Sequence, residues 1–350
     1  MADNNGQMTA AVLYGREDVR VERVPIPQIA PDEVLVRVAV ALTCGTDLKV
    51  WRRGYHARMI TPPALFGHEL AGTVVAVGAQ VRSVQPGARV VPANSAPCEE
   101  CFYCKAGQPN LCSDLLFNNG AYAQFLRVPG RIVERNLLSI PEHVSFRDAA
   151  MAEPLACVLR GVEEMRVPEG ATVAVIGCGA IGLKFIRVLS RRGARVIAVG
   201  KRASQMEYAR RLGAADAIDV TRSLEPVEIV RRMTPGSRGA DAVVEAVGQP
   251  ATWEWAIGMV RRGGSVNLFG GCSKGTEVRM DPSELHYSEI TIRSTFHHTP
   301  RHMREALASI ASGEVDTGEF ITAERPLVEL PQIFEEMKSR NGELKTAVIP

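Results

Sequence analysis

The hexapeptide Gly177-Cys178-Gly179-Ala180-Ile181-Gly182 constrains the fold more than any other stretch of the chain. It fits G-x-G-x-x-G, and its setting is the one that gives the pattern meaning. The apolar run Thr172–Ile176 reads as a strand entering it, and residues 181–192 read as a helix leaving it, closed by Gly193. In that setting Gly177 permits a tight turn, Gly179 lets a pyrophosphate approach the backbone, and Gly182 lets helix and strand pack closely. The anion then lies at the helix N-terminus, near Ala180 and Ile181, where unpaired N–H groups and the helix dipole favour negative charge. A glycine turn without a ligand is the competing reading, and the strand-turn-helix context argues against it.

The pattern continues downstream. Strands at 195–199, 241–245 and 265–269 alternate with helices such as 204–212, which predicts a parallel sheet with helices on both faces. Upstream the texture differs. The first 150 or so positions are rich in Val, Gly and Pro, and short alternating apolar runs at 19–24, 34–41, 71–77 and 88–91 predict a mostly β domain. After a last strand at 290–295 come helices at 301–312 and 330–340 and a final strand at 344–349, a tail expected to return to the first domain. Two domains suit 350 residues. Residues 1–9 are polar, lack the apolar segment of a signal peptide and are expected to be a loose tail. No apolar run approaches the ~20 residues of a membrane span, and a net charge of +2 with short, scattered basic pairs excludes a nucleic-acid partner. A cytoplasmic location follows, where eight cysteines point to metal or catalysis rather than disulfides.

At the end of the second strand, dinucleotide-binding domains that prefer NAD carry an acid for the ribose hydroxyl. Here Gly200 stands there, followed by Lys201 and Arg202. Absence of the acid removes repulsion toward a 2′-phosphate, and two cations can pair with it, so NADP is favoured over NAD.

Two sets of potential metal ligands stand out. Cys98, Cys101, Cys104 and Cys112 form C-x2-C-x2-C-x7-C, a spacing that lets four thiolates enclose one zinc ion. A closed site of this kind does no chemistry; it pins a loop that lacks a core. The second set is dispersed: Cys44 in Cys44-Gly45-Thr46-Asp47, His68 in Gly67-His68-Glu69, and Glu153 in Glu153-Pro154-Leu155. Spacing alone does not bring these three together.

With those segments in this order, the chain resembles the zinc-containing medium-chain alcohol dehydrogenases over essentially its whole length, closest to the sorbitol, threonine and glucose dehydrogenase branch. The resemblance implies an α/β chain with a GroES-like β domain (1–156 and 294–350) and a Rossmann doubly wound parallel-sheet domain (157–293). It implies one structural zinc on the four cysteines and one catalytic zinc on Cys44, His68 and Glu153. Glu69 is an inner neighbour that ligates directly or through water, Asp47 holds the His68 ring, and Thr46 relays the substrate proton. Cys157, one helical turn after Glu153, is the rival third ligand. Val247, Phe269, Gly270, Gly271, Thr295, Phe296 and His297 join the glycine loop, Gly200, Lys201 and Arg202 as cofactor-binding residues. Val50 and Phe296-His297 depart from the Tyr and Phe-Arg frequent in sorbitol dehydrogenases, at the expected substrate pocket.

The implied activity is hydride transfer between NADP(H) and a secondary alcohol (a polyol, sugar, cyclitol or amino alcohol), giving a ketone or aldehyde in a cleft between the domains, by a homodimer or homotetramer. Other readings are a zinc-independent NADPH reductase of the same fold, an NAD-dependent sorbitol- or threonine-type dehydrogenase, and a zinc-ribbon binding module. The Cys44, His68, Glu153 trio opposes the first, and the nucleotide loop opposes the last.

Overall fold

The structure, a computed structural model, describes residues 6–56, 58–222, 225–339 and 343–350. The chain separates into two compact units, Met1–Ala156 with His298–Pro350, and Cys157–His297.

In the first unit, alternating side chains set one face of each strand inward, as in Val34–Leu42, where Val34, Val36, Val38 and Val40 are buried. Six strands of its larger sheet run in the order Leu137–Ser139, Arg89–Pro92, Leu70–Val77, Val34–Leu42, Thr346–Ile349 and Ala323–Pro326; Phe125–Val128 also pairs with Val34–Leu42. The C-terminal strand pairs antiparallel with Val34–Leu42, Ala347 opposite Leu42, which ties the end of the chain into this unit. Asp18–Pro25, Gln7–Gly15 and Ala64–Leu65 form a second, three-stranded sheet. An aromatic cluster fills the core: Phe334 stacks on Trp51 at 5.7 Å, and both Phe66 and Phe334 meet the Tyr122 ring edge-on.

The second unit is a six-stranded parallel sheet: β1 (Thr172–Ile176), β2 (Arg195–Gly200), β3 (Ala214–Asp219), β4 (Ala240–Glu245), β5 (Val260–Leu268) and β6 (Thr291–Ser294). The spatial order is β3-β2-β1-β4-β5-β6, all neighbours parallel. All five residues of β1 are buried, as a strand covered on both faces requires. The strand order reverses direction between β1 and β4, which opens a crevice at their carboxyl ends where open α/β sheets take ligands.

Sequence expectations and structure differ at a few edges. Gln7, Met8 and Thr9, expected within a loose tail, form the start of the strand Gln7–Gly15, with Met8 fully buried; the first five positions lie outside the described residues. The expected end of the last helix at Arg340 also lies outside them. The strand expected at 344–349 begins at Thr346, and Lys345 just before it lies in a buried ion pair described below. Among the described residues no helix is long and apolar enough to cross a membrane.

Candidate functional site

Cys44 is the N-cap of the helix Gly45–Arg53, and its Sγ accepts the Thr46 N–H at 3.4 Å. Capping exposes the sulfur at the helix start and places Asp47 in the first turn, where the helix dipole favours a carboxylate. Asp47 is 2% exposed and both its oxygens are used. Oδ1 lies 2.8 Å from His68 Nδ1, and Oδ2 accepts the Tyr122 hydroxyl at 2.7 Å. The Asp47 contact occupies the Nδ1 side of the ring, so Nε2 is the nitrogen that can ligate a metal once it has given up its proton. Gly67 makes this contact possible: its φ is +90°, and a Cβ there would lie 2.5 Å from the Tyr122 ring. Burial opposes charge on His68, but the Asp47 carboxylate and the Cys44 sulfur outweigh it and hold the imidazole pKa well above its usual value.

Glu69 is fully buried. Its Oε2 forms a short ion pair with Lys345 Nζ, which also donates to Thr43 O at 2.7 Å. Its Oε1 has no hydrogen-bond partner among the described residues. One donor atom each from Cys44, His68 and Glu69 lies within 4.8 Å of the others. A thiolate, an imidazole and an unpartnered buried carboxylate oxygen are the donor set a zinc ion takes, and an orphaned oxygen of this kind is costly without a cation. The residues present fit the metal.

Glu153, in the first turn of the helix Ala152–Met165, stands outside that trio. Asn94 Nδ2 donates to its Oε1 at 3.1 Å, while Asn94 Oδ1 lies 2.9 Å from His298 Nε2. Burial pushes the Glu153 carboxyl up to about 7, partly opposed by the His68 charge. Cys157 is buried and joins neither metal-ligand group; Val50 is buried in the core beside Trp51.

Cys98, Cys101, Cys104 and Cys112 converge on one point. Three of their sulfur–sulfur separations are 3.4, 3.5 and 3.9 Å, and none of the four is in a disulfide. Zinc–sulfur bonds of ~2.3 Å in a tetrahedron imply ligand separations of about 3.8 Å, so the four thiols fit one ion. Backbone hydrogen bonds at Cys104 and Ser113 hold the Cys101 thiol down to about 6, whereas desolvation pushes Cys104 up to about 12. The lobe has little apolar core of its own, with Phe102 76% exposed.

In the parallel-sheet unit, the glycine loop joins β1 to the helix Ala180–Arg191. Gly177 has φ +98°, and a Cβ on Gly182 would lie 1.7 Å from Gly177 O, so helix and turn touch backbone to backbone. A Cβ on Gly179, the N-cap, would enter open space at the helix N-terminus, a place that favours an anion. Gly200 ends β2 and is packed: a Cβ there would lie 2.4 Å from Met206 Cε and 3.3 Å from Cys178 Sγ. Lys201 is exposed and Arg202 is half-buried at the start of the next helix, Ala203–Arg211. Past β4, the Val247 and Gly248 amides donate to Glu245 Oε1; past β5, the Phe269 and Gly270 amides donate to Glu245 O. Gly271 leaves open space beside it. Past β6, Thr295 is buried, Phe296 is 41% exposed, and His297 stacks on Phe296 at 5.5 Å. The glycine loop, the Gly200 turn and the segments at 247, 269–271 and 295–297 thus all follow carboxyl ends of parallel strands.

Tyr122, Lys345, Asn94 and His298 were not legible as site residues. Each is a single residue in an unremarkable local sequence, and only the fold brings it to Asp47, Glu69 or Glu153.

Residues 30–142 match the alcohol dehydrogenase GroES-like domain, and residues 180–312 match the zinc-binding dehydrogenase domain. The chain is 30% identical over 351 residues to a sorbitol dehydrogenase of Bacillus subtilis (strain 168), spanning 98% of this chain and 97% of that one. It is 32% identical over 326 residues to an L-threonine 3-dehydrogenase of the same organism, spanning 90% and 91%. Among solved structures it is similar to a zinc-binding dehydrogenase-type protein of Sinorhizobium meliloti 1021 bound to NADP, with a TM-score of 0.88, 30% identity and coverage of 98% and 99%.

Proposed function

The chain belongs to the zinc-binding alcohol dehydrogenase family, and from that premise we propose that it interconverts a secondary alcohol bearing a neighbouring hydroxyl or amino group and the matching ketone, with NADP(H) and two zinc ions per chain. The observation that carries this reading is the convergence of Cys44, His68 and the unpartnered oxygen of Glu69 on one point. Cys44, His68 and a carboxylate hold the catalytic ion. Glu69 is favoured for that carboxylate by its position, and Glu153 is the alternative, steered by Asn94. The four cysteines hold the second ion.

A zinc ion at the first site supplies a Lewis acid that lowers the pKa of a hydroxyl toward ~7 and stabilises the charge left behind. Asp47 and Tyr122 keep the His68 ring and its proton in place. Thr46, anchored through its amide to Cys44 Sγ, carries the alcohol proton outward. When bound, the nicotinamide would accept a hydride from the carbinol carbon; with the hydroxyl proton carried away by Thr46, two protons and two electrons leave the substrate as the carbonyl forms. The amides of the glycine loop receive the pyrophosphate, and Lys201 and Arg202 pair with the 2′-phosphate. Sorbitol and threonine, named for two relatives, both carry a polar group next to a secondary alcohol, which supports the substrate class. Assembly as a homodimer or homotetramer is the companion expectation, read by light scattering; cysteines that form no disulfide among the described residues support a reducing, cytoplasmic setting.

The test is the specificity constant with each cofactor across a panel of vicinal diols and amino alcohols. A charge-assisted bond to phosphate contributes roughly 1.5–3 kcal/mol, so NADP is expected to be preferred about ten- to a hundredfold. Arg202→Ala is expected to erode that preference. An aspartate at Gly200 is the less informative variant, because Met206 fills the space its Cβ needs. Equal or NAD-favouring constants in the unmodified enzyme contradict the NADP assignment.

A further inference from the structure

Arg160 lies in the helix Ala152–Met165 and its side chain is 11% exposed. Its Nη1 donates to two consecutive carbonyls, Phe296 O at 2.7 Å and His297 O at 3.2 Å. Its Nη2 is 3.3 Å from Glu164 Oε1, one helical turn on, and the other oxygen of Glu164 pairs with Arg293 of β6. The segment so gripped is strained: His297 has φ +68°, a left-handed conformation that a non-glycine residue keeps only where its surroundings impose it. Beside it the Thr295 hydroxyl is buried and has no hydrogen-bond partner among the described residues. A buried hydroxyl left without a protein partner is a group that a ligand can satisfy.

Sheet order says which part of a ligand comes here. The glycine loop after β1 takes the pyrophosphate, and the basic turn after β2 takes the adenosine ribose end. A dinucleotide lying across the carboxyl edge in the order β2-β1-β4-β5-β6 therefore sends its nicotinamide half toward β6. We propose that Arg160 is a positioning residue for the nicotinamide half of the cofactor: by holding two successive carbonyls it locks the Thr295–Phe296–His297 turn in its receiving shape. This rests on the reading of that turn as cofactor-binding.

The test compares, by calorimetry on the zinc-loaded enzyme, the affinity for the reduced dinucleotide with that for the same molecule lacking nicotinamide (2′-phospho-ADP-ribose for NADPH, ADP-ribose for NADH). Arg160→Met is expected to weaken the dinucleotide at least tenfold and the fragment less than twofold. Arg160→Lys, which reaches one carbonyl but cannot span two, falls between; if Arg160→Met does not fold, Arg160→Lys carries the comparison with a smaller effect of the same selectivity. Equal loss for both ligands, or no loss for either, overturns the proposal. Thr295→Val reports separately on the turn. Weaker dinucleotide binding in Thr295→Val with none in the Arg160 variants overturns the role of Arg160 alone. No change in Thr295→Val removes the reading of the turn as cofactor-binding, and the proposal with it.

Discussion

Asp47 shows how much one side chain governs here. Its two oxygens join a histidine from one loop and a tyrosine from another, and the carboxylate fixes which imidazole nitrogen stays free. Asp47→Asn keeps the shape and removes the charge, so zinc affinity at the Cys44, His68 site is expected to fall about 10- to 100-fold, read by chelator competition; unchanged affinity would show that His68 does not depend on it. Lys345 offers a second test. It is buried with Glu69, and breaking such a pair by removing one partner costs roughly 3–5 kcal/mol. Lys345→Met is expected to destabilise the zinc-free protein by about that much in urea, and Glu69→Gln in the same chain to recover most of it. A Lys345→Met protein as stable as the parent would mean that water or rearrangement solvates Glu69. The Gly-His-Glu and Cys-Gly-Thr-Asp segments drew attention to His68 and Cys44 in the sequence. Lys345 did not, because its partner lies 276 positions away and nothing local marks it.

Elements were more legible than contacts between them. The strand Thr172–Ile176 reads directly from five apolar residues before a glycine turn, and the structure buries all five. The strand Gln7–Gly15 was not read at all, since the first strand expected was 19–24 and Gln7 to Thr9 look like tail; the pairing of Gln7 and Thr9 with Pro25 and Arg23 is a property of the sheet, not of the local sequence. The 265–269 strand was read short, since Arg261, Arg262 and two glycines precede it, yet β5 begins at Val260, where a register irregularity against β4 absorbs them. The glycine loop makes the sharpest prediction at this scale. In Gly182→Ala the Cβ would lie 1.7 Å from Gly177 O, so the helix Ala180–Arg191 must shift. Dinucleotide affinity is expected to drop more than tenfold while zinc content holds, because the zinc ligands belong to the other unit. Gly179→Ala meets open space and is expected to spare stability but still weaken binding, since its methyl occupies the phosphate cradle. Thermal melts with dinucleotide titrations separate the two; equal binding by Gly179→Ala and the parent would place the phosphate elsewhere.

For the whole molecule, two metal sites of opposite character carry the functional reading. The four cysteines converge as a closed site would, in a lobe with little core, whereas Cys44, His68 and Glu69 supply three donors and, on the proposed reading, leave a fourth position for substrate. The sequence distinguished a local quartet from a dispersed set; which carboxylate completes the dispersed set was settled neither by spacing nor by the Glu-Pro-Leu match, since Glu69 and Glu153 both come near through folding. The most direct measurement is therefore zinc per chain followed through mild chelation, with turnover recorded on the same samples. Two zinc ions are expected at full activity, falling to one as activity disappears while the fold, followed by circular dichroism, persists. One zinc ion per folded chain with turnover intact would contradict a catalytic metal at Cys44 and His68.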